Sequence, residues 1–124
     1  QPAEDILFEM QSRVILELAQ IGPCIIVGRC ADAVLRSAGI PAVSLFICAP
    51  FEDRVKRRME IEGIGQKEAE AAVRKIDKQR KKYYDTYTGQ NWGAPENYDF
   101  CINSSVMGIE GTAEQVVAWI RGAW

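Results

Sequence analysis

Arginine is the residue type through which this chain could do chemistry, and it falls in three groups. Gly28-Arg29 follows a short apolar run, where a glycine admits a close backbone or ligand and a guanidinium offers a planar fork for phosphate. Arg54, Arg57 and Arg58 lie within five residues. Arg54 and Arg58 share a helix face at i,i+4, with Arg57 beside them. In the third group Asp77 stands three residues from both Arg74 and Arg80, so its carboxylate can hold both guanidiniums as an anion clamp. The competing reading for each group is solvated surface arginine, and around the second group Glu52, Asp53, Glu60 and Glu62 could neutralise it.

Histidine is absent, which removes imidazole as base, nucleophile partner or metal ligand. Arginine without acid–base apparatus suits reactions driven by positioning and charge neutralisation, of which phosphoryl transfer is the leading example. Read from the residues alone, the chain is an anion-binding domain. No metal site is expected. Cys24, Cys30, Cys48 and Cys101 form no C-x-x-C pair and read as small buried hydrophobes in a reducing, cytoplasmic setting.

The 124 residues are 48% hydrophobic and 26% charged, with net charge −2. That excludes a disordered chain and fits one domain over residues 1–124. The apolar runs are too short to span a membrane, and no leader pattern opens the sequence. Residues 52–82 hold 11 of the 15 basic side chains with seven acidic ones interleaved. This mixed pattern argues against nucleic acid as partner.

The elements that must position these residues follow from periodicity. Ile6, Leu7, Met10, Val14, Leu18 and Ile21 recur at helical spacing, with Glu4 and Asp5 in the first turn and Gly22-Pro23 as the stop. Residues 24–27 are a continuous apolar run that predicts a strand buried on both faces, and 43–48 predicts a second. A short helix joins them. Residues 52–82 predict two helices broken at Gly63-Ile64-Gly65, 83–97 an irregular loop whose aromatic side chains pack it onto the domain, and 98–102 a third strand. Thr112 is the expected N-cap of a last helix. The alternation predicts an α/β fold, a parallel sheet with flanking helices.

Four segments in series then resemble a known family. They are Ile26-Val27-Gly28-Arg29-Cys30-Ala31-Asp32, Asp53-Arg54-Val55-Lys56-Arg57-Arg58-Met59, Asp77-Lys78-Gln79-Arg80 and Asn97-Tyr98-Asp99-Phe100-Cys101-Ile102-Asn103-Ser104. Their order and spacing over residues 20–120 are similar to the cytidylate-kinase-like branch of the P-loop nucleoside monophosphate kinases. The resemblance implies a three-layer α/β/α fold and phosphoryl transfer from ATP, with Mg2+, to a nucleoside monophosphate such as CMP. It implies acceptor binding by Arg29, Asp32, Asp77 and Arg80; Cys30 stands where cytidylate kinases carry Asp. It implies a lid over 52–88, in which Arg54 and Arg58 meet the donor nucleotide and Arg58, Arg74 and Arg80 act on the transferring phosphoryl group. Asn103 and Ser104 are implied beside the adenine.

The sequence departs from that pattern in one respect. No G-x-x-x-x-G-K-[ST] motif is present. The stretch Gly22 to Arg29 has the wrong glycine spacing and a strand-like interior. The resemblance puts that loop on a central strand ahead of Gln1, so the chain reads as the C-terminal part of the kinase domain, truncated at its N-terminus and inactive alone. With that strand missing, the run at 24–28 is expected to pair with 43–48 or to recruit a strand from a second copy, giving a homo-oligomer through strand edges. A non-catalytic nucleotide-binding or assembly module is the alternative function, and a kinase for another small acceptor a third.

Overall fold

A computed structural model describes residues 2–28 and 30–123. In chain order the elements are α1 (Pro2–Ile21), α2 (Ala31–Ser37), β1 (Leu45–Cys48), α3 (Phe51–Glu62), α4 (Gln66–Thr88), a 3-10 turn (Pro95–Asn97), β2 (Phe100–Asn103) and α5 (Gly108–Ala123). The protein is 66% helical. β1 and β2 pair in parallel, with Leu45 opposite Phe100 and Cys48 opposite Asn103.

This overturns the expected three-layer α/β/α architecture. The described residues contain two strands in one sheet, not three strands within a covered sheet. The run at 24–27 forms no strand and pairs with neither β1 nor β2, and Ile25 and Val27 are 95% and 87% exposed. The expected pairing of 24–28 with 43–48 does not form. Apolar, β-branched composition confers strand propensity, but a strand exists only where a neighbour accepts its backbone hydrogen bonds. β1 spends one edge on β2, and residues 24–27 are held instead by Ile26, which packs on the helical core.

Two small cores carry the packing, and of the four cysteines expected to be buried only Cys30 is, while Cys24, Cys48 and Cys101 are exposed. Ile15 of α1 meets Ala31 and Leu35 of α2, flanked by Leu16, Ala19, Ile26, Val34 and Ile40. Val55 of α3 meets Ala69 and Val73 of α4, with Phe51, Met59 and Ile64 around them. The chain reverses between α3 and α4 at Gly63, whose φ of +65° lets its N–H reach back 2.9 Å to the Met59 carbonyl. The break expected at Gly63-Ile64-Gly65 is therefore present, with Ile64 plugging the core it turns around.

Aromatic side chains join α4 to α1. The Phe8 ring stacks on Tyr87 at 4.3 Å and meets Tyr83 edge-on at 6.2 Å. The Tyr83 hydroxyl donates to Gln11 Oε1 and the Tyr87 hydroxyl to Asp5 Oδ1, both at 2.8 Å. Residues 83–88 thus continue α4, where a loop was expected, because tertiary partners for three tyrosines outweigh their weak helix propensity. The cap expected at Thr112 also fails. α5 begins four residues earlier, and Thr112 is a buried residue whose hydroxyl donates to the Gly108 carbonyl at 2.6 Å.

Candidate functional site

The carboxyl end of the β pair is where the chain gathers its candidate side chains. The Ser104 N–H donates to the Cys48 carbonyl at 2.8 Å, and its hydroxyl reaches the same oxygen at 3.3 Å. The next carbonyl, that of Ala49, accepts Arg54 Nε at 3.0 Å. Arg54 Nη1 then donates to both Asp77 oxygens, at 2.9 and 2.8 Å. One guanidinium therefore ties the end of β1, the first turn of α3 and the middle of α4 together. Asn103 folds back on its own turn, its Oδ1 accepting the Ser105 N–H at 3.0 Å and hydroxyl at 2.6 Å.

The clamp expected within α4 is absent. Asp77 is committed to Arg54 across the helix pair and makes no bond to Arg74 or Arg80. Arg74 lies instead over the Phe51 ring, 4.8 Å from its centroid, and Arg54 stands 6.0 Å from the same ring. With both its oxygens on Arg54 Nη1, the Asp77 carboxylate gains a charge-assisted cross-helix pair that outcompetes two i,i+3 contacts on a solvated face. One turn along α3, the partly buried Arg58 pairs through Nε with Glu62. Arg74 and Arg80 are exposed and form no ion pair with a described residue.

Asp32 stands elsewhere. It opens α2 and accepts the Tyr84 hydroxyl at 2.8 Å, with Arg36 at 3.8 Å. Tyr84 is two turns beyond Asp77, about 10 Å along α4. Burial first, and then the Asp32 hydrogen bond, push the Tyr84 phenol well above its ordinary range. Asp32 lines an open cleft of about 490 Å³ with Arg36, Ser44, Asn97 and Asp99. Ser44 and Asp99 precede β1 and β2, so this cleft opens at the amino ends of the strands. None of Arg54, Arg58, Arg74 or Arg80 lines it. Arg29 lies outside the described residues.

The chemistry of the carboxyl-end site follows from this accounting. Arg54 and Arg58 have carboxylate partners, whereas Arg74 and Arg80 carry uncompensated charge on α4. Phe51 preorients Arg74 without neutralising it. Such an arrangement attracts anions and supplies no proton donor or acceptor near neutrality. Among the described residues there is no group of three or more His, Cys, Asp or Glu poised to hold a metal ion. The described residues form no Mg2+ cage.

Phe51 and the Ala49 carbonyl were invisible in the motif reading. The available signal was that Phe51 stands three residues before Arg54, a spacing at which two side chains on one helix can meet.

The cytidylate kinase-like family model matches residues 1–106, which include the arginine groups and β2. The chain belongs to the cytidylate kinase-like family. A kinase-like function follows from that membership. The fold is similar to the crystal structure of an uncharacterized protein from Eubacterium ventriosum, at 31% identity and a TM-score of 0.87, over 98% of this chain and 68% of that one. No curated protein matches the chain. No helix among the described residues is long and apolar enough to cross a membrane.

Proposed function

We propose that this cytidylate kinase-like chain serves phosphoryl transfer from ATP to a nucleoside monophosphate such as CMP, contributing the arginines that neutralise nucleotide phosphates. The observation that carries this reading is the division of labour at the α3–α4 rim. Asp77 neutralises Arg54 at 2.8 Å, while Arg74 rests on Phe51 with its charge free. Transfer of this kind depends on positioning and charge compensation more than on covalent chemistry. In this proposal Arg74 and Arg80 meet phosphate oxygens, and Arg54 is a strut that keeps α3 and α4 in register. Mg2+ enters only as the companion of the nucleotide's own phosphates.

A second reading is a nucleotide-binding module without catalysis, which the same Arg74 and Arg80, exposed and without carboxylate partners among the described residues, would serve equally. Two measurements test these readings. Calorimetric titration with CMP and with ATP–Mg2+ is expected to show binding that weakens about tenfold in Arg74→Ala, the loss of one charge-assisted contact. Absence of binding to either nucleotide overturns both readings. A coupled assay for CMP phosphorylation is expected to be silent for residues 1–124 alone, and turnover there rejects the non-catalytic module.

A further inference from the structure

Phe51 opens α3 and has two sets of neighbours. It packs against the core of Val55, Ala69 and Val73, which limits the rotamers open to its ring. The same ring lies under Arg74, whose guanidinium carbon is 4.8 Å from the centroid. Arg54 stands at 6.0 Å, the outer edge of effective contact, and Asp77 already compensates its charge. The ring therefore serves Arg74 more than Arg54. The kind of contact decides what each arginine can still do. A carboxylate beside a guanidinium occupies its N–H donors, as Asp77 does for Arg54 Nη1. A ring attracts the cation through its quadrupole and leaves those donors open.

We propose that Phe51 is a positioning residue of the α3–α4 anion site, its ring holding the Arg74 guanidinium in place while the N–H donors stay free for phosphate oxygens. The proposal rests on the nucleotide-phosphate reading above and adds to it a requirement for an aromatic ring at the start of α3. Arg74 is exposed and forms no ion pair with a described residue. A long side chain in that setting samples many rotamers, and ordering it on a ligand costs affinity. A ring already fixed by the core reduces that cost before the anion arrives. The competing role is structural, with Phe51 as apolar cover for the helix pair, a role that leucine would fill as well.

The test is calorimetric titration of the 124-residue chain with ATP–Mg2+, CMP and inorganic tripolyphosphate. The proteins compared are the native sequence, Phe51→Leu, Phe51→Tyr, Arg74→Ala, and Phe51→Leu combined with Arg74→Ala. Phe51→Leu is expected to weaken binding about threefold, the size of one cation–π contact at an exposed site. Phe51→Tyr, which keeps the ring, is expected to bind like the native chain. In the Arg74→Ala background, Phe51→Leu is expected to change nothing. Native affinity in Phe51→Leu, or an equal loss with and without Arg74, overturns the proposal and leaves the nucleotide reading standing. Binding of tripolyphosphate but of neither nucleotide does the reverse, and the Phe51–Arg74 cycle is then read on the inorganic anion. No binding to any of the three overturns both. Nuclear Overhauser contacts between the Arg74 side chain and the Phe51 ring are expected in the native chain, with no ligand or variant required, and their absence also overturns the proposal.

Discussion

Arg54 and Asp77 are 23 residues apart in sequence and 2.8 Å apart in space. Their pairing joins the start of α3 to the middle of α4, and the bond from Arg54 Nε to the Ala49 carbonyl extends the link to the end of β1. The pair occupies the position where two motifs of the family converge, so the site's shape depends on a contact within the protein as well as on residues free to meet a ligand.

Removing Asp77 should therefore loosen the helix pair more than it disturbs charge at large. Asp77→Ala is expected to cost about 1 kcal/mol, the pair being roughly one-third exposed on each side. Arg54→Ala should cost more, since it also loses the Ala49 bond. A double-mutant cycle by urea unfolding should return a coupling of about 0.5–1 kcal/mol between them. Additivity would show that the two do not act together.

The α3–α4 core has no slack at Ala69, which is 0% exposed between Val55 and Val73. Ala69→Leu is expected to destabilise by about 1–3 kcal/mol through overpacking, and Val73→Ala by about 2 kcal/mol through the lost contacts and the cavity left behind. Thermal melts followed by circular dichroism measure both.

Gly93 holds a φ of +80°, and a Cβ added there would come within 3.2 Å of the Phe46 ring. Gly93→Ala therefore combines backbone strain with a clash against an aromatic cluster in which Phe46 meets Trp92 and Tyr98. A loss of about 1–3 kcal/mol is expected, with near-ultraviolet dichroism reporting the displaced rings.

Titration should reach the two ends of α4's last turns from opposite directions. The Lys81 ammonium first, and then the Trp92 N–H, hold Asp85 below the usual carboxylate range. Its contribution is present above about pH 4 and is lost as pH falls through the depressed folded value. Asp85→Asn should flatten that acid limb. Tyr84 behaves in the reverse sense, because its phenol is raised. Its contribution is present below about pH 10 and is lost as pH rises beyond that value. Tyr84→Phe should remove part of the alkaline decline, and tyrosinate absorbance should show one fewer late-titrating group. The Tyr87 phenol, pushed up to about 12 by partial burial and Asp5, titrates in the same alkaline limb and is the control.

Local signals settled a good deal of this protein from sequence alone. Helical periodicity placed α1, α3 and the start of α4 closely, because an apolar stripe at 3.6-residue spacing has one geometric meaning. The Gly63-Ile64-Gly65 break was legible for the same reason, since few residues take a positive φ. The four motifs, three of them arginine-bearing, read in order, identified the family that the match over residues 1–106 establishes.

Tertiary structure decided what depended on partners. The run at 24–27 has the composition of a buried strand and is not one, because a strand is defined by a neighbour that composition cannot supply. Asp77 had two arginines within reach on its own helix and pairs with a third from another, since the choice turns on where α3 and α4 cross. Arg74 stands over Phe51 for the same reason. Side-chain type and spacing determine which groups are available within a helix or a turn, while only the packing of one element on another determines which of them meet.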